Sequence, residues 1–234
     1  MEQQKFKDIS SLQNHLEDKY EGVDFSDLKE REVVHESVEL VEVNDKIIVS
    51  YLKYDQSPMD YFEDDEGAGE FFKFRSADEV EDKLEELKKE KKLFYLVDKY
   101  EHGNVHYSVA NTVSYTDDRW DVSHGCAIFV PCSYVQDEYK KMAKKEGVEK
   151  AKENFIKDSN AVLSGYSDWC NGEVYGYIVK CLDKKGQEVK EVNCDACWGF
   201  VGNDYAQQEK KSIVEYYVNK ELEISNQKTK KVKP

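Results

Sequence analysis

One stretch limits the possible folds of this chain more than any other: residues 165–202, GYSDWCNGEVYGYIVKCLDKKGQEVKEVNCDACWGFVG. Residues 173–182 alternate Val174, Gly176 and Ile178 against Tyr175, Tyr177 and Val179. The polar turn DKKG follows, and residues 188–200 return as a second β-rich run. A period of two in β-branched and aromatic residues is the pattern of a strand, and two such runs about a glycine-containing turn make a hairpin. The same stretch holds two of the three tryptophans and four of the six cysteines.

Further hairpins are legible upstream. Val34, Val38 and Leu40 run into Asn44-Asp45, with a Val-, Ile- and Tyr-rich run over 47–54 beyond. Residues 93–99 (LFYLVDK) and 105–110 pair about His102-Gly103-Asn104, and CAIFV at 126–130 is a short buried strand stopped by Pro131. Helical spacing separates these runs. Phe6, Ile9, Leu12, Leu16 and Tyr20 predict a helix over 5–20, and Val80, Leu84 and Leu87 form the narrow apolar stripe of a charged helix over 77–92. Asp78 and Glu79 suit the positive end of that helix's dipole. Residues 133–164 predict two helices hinged at Gly147, with Tyr139, Val148, Ala151 and Phe155 inward. A last helix spans 206–223 through Val214, Tyr217 and Leu222. The chain therefore reads as α+β, with a mainly antiparallel sheet built from hairpins and about four or five flanking helices. It reads as a single domain over 1–225, acidic in 1–100 and near neutral in 101–225, with a disordered basic tail over 226–234.

Charge is segregated. Residues 1–100 carry 28 Asp/Glu against 15 Lys/Arg, so nearly all of the net charge of -15 falls in them. Such a field repels nucleic acid and membranes and attracts basic surfaces. No apolar run approaches the roughly 20 residues that span a bilayer, and MEQQKFKDIS lacks the apolar core of a secretion signal. The expected location is the cytosol, where six cysteines are reduced thiols. Carboxylates are densest over 60–70, where Asp60, Glu63, Asp64, Asp65, Glu66 and Glu70 interleave with Tyr61 and Phe62. With Phe71 and Phe72 beyond, this is the candidate partner-binding loop: carboxylates in rows imitate nucleic-acid phosphate, and aromatics supply apolar anchors.

Chemistry candidates are weaker. Cys194-Asp-Ala-Cys197 is a lone C-x-x-C, and a zinc site needs two further ligands from more distant cysteines or His124. His124, Cys126 and Asp121, with His102 and His106 nearby, resemble a thiol site only in sequence, and a Cys at the start of CAIFV is more simply a core residue. Trp120-Asp121 and Trp198-Gly199 line a pocket or, on the favoured reading, fill the core. No phosphate loop, H-E-x-x-H or G-x-S-x-G occurs. No catalytic residue, metal ligand or cofactor is assigned.

From 54 to 202 the order of short motifs, YDQSP, KYEHGNVHYSVANTVSY, RWDVSHGCAIFVP, GEVYGYIV and CWGFVG, resembles a family of uncharacterised phage and mobile-element proteins of low-GC bacteria. The resemblance implies origin and fold and carries no activity. Small acidic phage proteins often inhibit host defence. The expectation is an inhibitor of a host defence nucleoprotein complex, anti-CRISPR or anti-restriction in type. Its acidic surface would occupy a basic nucleic-acid-binding groove on a protein partner, with no direct binding to nucleic acid or membrane. The alternative expectation is a small-molecule-binding or hydrolytic phage enzyme with a site near Trp120–Cys126 and Cys194–Trp198.

Overall fold

The computed structural model describes residues 3–231 except 29, 63–66, 75, 116–117 and 190–194. The protein is α+β, with two antiparallel sheets, and the chain packs as two compact units. Unit 1 comprises Met1–Pro58 and Gly172–Pro234, and unit 2 is Met59–Asn171. The sequence suggests one domain over 1–225; of the two compact units, Met59–Asn171 lies in sequence between two paired strands of unit 1.

Unit 1 is a five-stranded sheet in the order β1-β2-β3-β8-β9. Its strands are β1 (Gln3–Phe6), β2 (Val38–Val43), β3 (Lys46–Tyr54), β8 (Val174–Asp183) and β9 (Asp195–Val201). The turn between β2 and β3 falls at Asn44-Asp45, and Asn44 takes the left-handed φ of 56° that asparagine tolerates. Helix α1 (Ile9–Lys19) covers one face and α6 (Asn203–Lys231) the other. That coverage explains the sequence of β3: Ile47, Val49 and Tyr51 join Leu12 and Leu16 of α1, whereas Ile48 and Leu52 join Val214, Tyr217 and Val218 of α6. A strand buried on both faces needs no polar alternation. Asp8 caps α1, its carboxylate accepting from Ser11 N at 2.8 Å. The helix read over 5–20 begins later because Phe6 belongs to β1. Helix α6 runs on over most of the segment read as a basic tail, where no Gly or Pro interrupts it before Pro234. Leu222, expected inward, is exposed on it.

Unit 2 is a four-stranded sheet in the order β4-β7-β5-β6: β4 (Gly69–Lys73), β5 (Tyr95–His102), β6 (Asn104–Val109) and β7 (Val122–Pro131). Helices α4 (Ser133–Glu146) and α5 (Val148–Cys170) pack on one face, and α2 (Ala77–Lys89) on the other; α3 (Asp118–Asp121) is a single turn before β7. Again the second half of a central strand, β7, is apolar, with Ala127 and Phe129 under α4 and α5 and Ile128 and Val130 under α2. Gly147 separates α4 from α5 at φ 93°, which a side chain would disfavour.

Two polar devices close this unit. Gln136 of α4 is buried and takes both backbone groups of Leu93, accepting from its N and donating to its O at 2.8 Å each. Asn160 and Ser167 of α5, and Asn171 at its C-cap, accept from the outward amides of Val109, Tyr107 and Val105 at 2.7–2.8 Å. Strand β6 is the edge of its sheet, and the helix satisfies the donors that would otherwise recruit another strand.

The tryptophans do not fill the core as the favoured reading expected. Trp120 is 79% exposed and Trp198 45% exposed. Trp198 lies across Gly176 of the neighbouring strand, where a Cβ would meet its ring at 2.2 Å. The glycine of the alternating run exists to seat that indole on the sheet surface.

Candidate functional site

The acidic segment is anchored by its aromatic residues. Tyr61 and Phe62 are half-buried among Phe71, Tyr107 and Tyr166, with Phe62 stacked on Phe71 at 5.2 Å between ring centres and 4.8 Å from Tyr166. Tyr61 donates to Val162 O at 3.1 Å and fills the space left open by Gly165. Burial raises the Tyr61 phenol above its ordinary value and pushes Tyr107 up to about 12. These rings, expected as anchors for a partner, pack half-buried against the protein's own core. Asp60 and Glu70 are exposed, and Asp60 accepts from Phe62 N at 3.2 Å. Glu63, Asp64, Asp65 and Glu66 lie outside the described residues.

A further row of carboxylates lies on α2. Ser76 caps this helix, and Val80, Leu84 and Leu87 turn towards the sheet. Their spacing leaves Asp78, Glu79, Glu81, Asp82, Glu85 and Glu86 exposed. Lys83 folds back over the ring of Phe72 at 4.3 Å and pairs with Glu86 at 2.8 Å; Lys89 pairs with Glu85 at 3.6 Å. Exposed pairs of this kind contribute little. The outcome is a helix whose solvent face presents carboxylates at one-turn intervals, with neighbours roughly 5–6 Å apart. Glu70 lies on β4 two residues before Phe72, on the face that α2 covers.

Two imidazoles of the thiol candidate each meet a carboxylate. His124 Nδ1 lies 3.3 Å from Oδ2 of the buried Asp98, and His102 Nδ1 lies 2.9 Å from Asp121 Oδ2. Asp98 also accepts from Gly125 N at 2.8 Å and Asn111 N at 3.1 Å. Its carboxylate thus fixes two left-handed turns, Asn111 at φ 62° and Gly125 at φ 57°. Cys126 is half-buried, and burial pushes its thiol above the ordinary value, the reverse of what a nucleophilic thiolate needs. Trp120 to Cys126 belong to unit 2 and Trp198 to unit 1. Cys197 is exposed, Cys194 lies outside the described residues, and no cluster of three His, Cys, Asp or Glu suited to a metal occurs among the described residues.

Sequence reasoning missed the buried lysine of unit 1. Lys210 of α6 is fully buried, donates to Ser37 O at 2.5 Å and lies 3.3 Å from Glu39 Oε2. Burial holds its ammonium below the usual lysine value, against the opposing pull of Glu39. Glu39 meets a second cation, Lys5, at 3.4 Å. A lysine flanked by polar residues in QQEKKS carries no signal that it points inward.

No family model, curated protein or solved structure matches the chain. No helix among the described residues is long and apolar enough to cross a membrane.

Proposed function

We propose that the protein is a non-enzymatic binding module of phage origin that inhibits a host defence nucleoprotein complex. The acidic face of α2, together with the acidic segment 60–70, would occupy a basic groove that otherwise holds DNA or RNA. The observation that carries this reading is the row of exposed carboxylates on α2. A rigid helix whose opposite face is locked into a core presents its charges in fixed array, which favours electrostatic steering onto a cationic groove. The partner class, a CRISPR effector or a restriction enzyme, follows from the association of small acidic phage proteins with inhibition of host defence, the motif resemblance implying only the phage origin.

The test uses purified defence effectors and the full chain. The protein should compete with DNA or RNA for the effector at about 0.05 M salt and lose to it at about 0.5 M, where screening is strong. Replacing Asp78, Glu81, Asp82 and Glu85 together by Lys should abolish competition while leaving the circular dichroism spectrum unchanged. Full competition by that folded variant would refute the reading.

A further inference from the structure

Unit 2 carries a feature of opposite sign. A cavity of about 390 Å³ opens where the end of α2 meets α4 and the start of α5. Its floor is apolar, made by Phe94, Tyr139, Ala143 and Val148. Its rim is Lys88, Lys91, Lys92, Lys140, Lys144 and Lys152, and no lining residue is acidic. In a chain of net charge -15, six ammonium groups about one apolar mouth are not an accident of composition. Lys92 pairs with Glu90 at 3.0 Å and Lys140 with Asp137 at 3.4 Å. Lys152 lies over the ring of Phe94, 5.6 Å from its centre.

A second observation has the same sign. Val148, the first residue of the 23-residue helix α5, lines the cavity and is 50% exposed, although the sequence places it inward. The residue before it, Gly147, has no side chain to accept from the first-turn amides. The positive end of a long helix dipole therefore sits at the rim without a side-chain cap, with Glu149 the acidic residue of its first turn.

We propose that this cavity binds an organic anion with an apolar body, of the class of a medium-chain fatty acid. The volume lies at the small end of the roughly 300–1,000 Å³ typical of small-molecule sites. An acyl chain covers the floor and its carboxylate meets the lysine rim. A free phosphate leaves the floor exposed to water. A nucleobase or a peptide backbone needs hydrogen-bonding partners, and the lining includes no Ser, Thr, Asn or Gln. This inference concerns a different face of unit 2 from the acidic one and does not rest on the inhibitor reading.

The experiment is calorimetric titration of the full chain with dodecanoate below its micellar concentration, alongside dodecanol and dodecyltrimethylammonium. Dodecanoate should saturate a single site, the alcohol should bind at least about tenfold more weakly, and the cation should not bind. The double variant of the exposed Lys144→Gln with the half-buried Lys152→Gln should weaken dodecanoate binding roughly tenfold. Equal binding of the alcohol, unchanged affinity in the double variant, or no saturable site overturns the proposal. Tighter binding of a glutamate-rich peptide bearing one leucine also overturns it and makes the cavity a peptide-docking site.

Discussion

Lys210→Met isolates the energetics of the buried charge in unit 1. In the native protein Lys210 Nζ, fully buried, bonds Ser37 O at 2.5 Å and faces Glu39 at 3.3 Å. Removing one member of a buried pair costs about 3–5 kcal/mol, because the other charge stays buried without compensation. Glu39 keeps Lys5 at 3.4 Å, and that lysine is largely solvent-exposed. The expected loss therefore falls below that range, at about 2–3 kcal/mol, and includes the orphaned carbonyl of Ser37. Pairing Lys210→Met with Glu39→Leu removes both charges, and an apolar replacement of a buried pair is often neutral or stabilising. The double variant should recover most of the loss in urea denaturation followed by tryptophan fluorescence. The pH dependence has a fixed sign. The folded-state value of Lys210 lies below the ordinary 10.5, so the folded protein binds fewer protons than the unfolded chain in the window just under that pH. Native stability should rise with pH across that window, and the Lys210→Met variant should lack this slope. A single variant that loses less than about 1 kcal/mol, or a double variant no better than the single, would refute the argument.

Two further outcomes are expected. Asp98→Ala should cost about 2–4 kcal/mol in the same assay, since it orphans the amides of Asn111 and Gly125; a loss under about 1 kcal/mol would mean water replaces the carboxylate. Because burial lifts the Cys126 thiol above 9.0, iodoacetamide at neutral pH should label the exposed Cys197 well before Cys126. Mass spectrometry of the labelled peptides decides this, and equal rates would contradict the burial argument.

The sequence was most legible where its signals were local. The doubly buried strands β3 and β7 stand out as short apolar runs, and Asn44-Asp45, Gly103 and Gly147 mark turns that the backbone does take. What escaped was non-local. The pairing of Tyr54 with Tyr175 joins segments with a whole unit between them, and no local pattern announces it. Asn160, Ser167 and Asn171 carry no local signal of their role, yet they satisfy the edge of a sheet. The lysines of the apolar cavity come from three separate segments, each of which looks like an ordinary charged surface. The aromatics of the acidic segment are visible in sequence, but their direction is set by space that Gly165 leaves on a distant helix.

The insertion of unit 2 has a consequence for the order in which the chain is made. As synthesis proceeds, β3 leaves the ribosome with β2 as its partner, but β8 does not exist until Met59–Asn171 has been translated. Throughout that interval the run KIIVSYLKY presents an open hydrogen-bonding edge, with α6 still absent from its Ile48 and Leu52 side. An apolar strand with a free edge is a template for mispairing between nascent chains. The exposure ends sooner if unit 2 folds as it emerges, since a compacted insert shortens the span that β3 and β8 must close. The rate at which the inserted unit folds thus governs how much of the host unit reaches its native pairing.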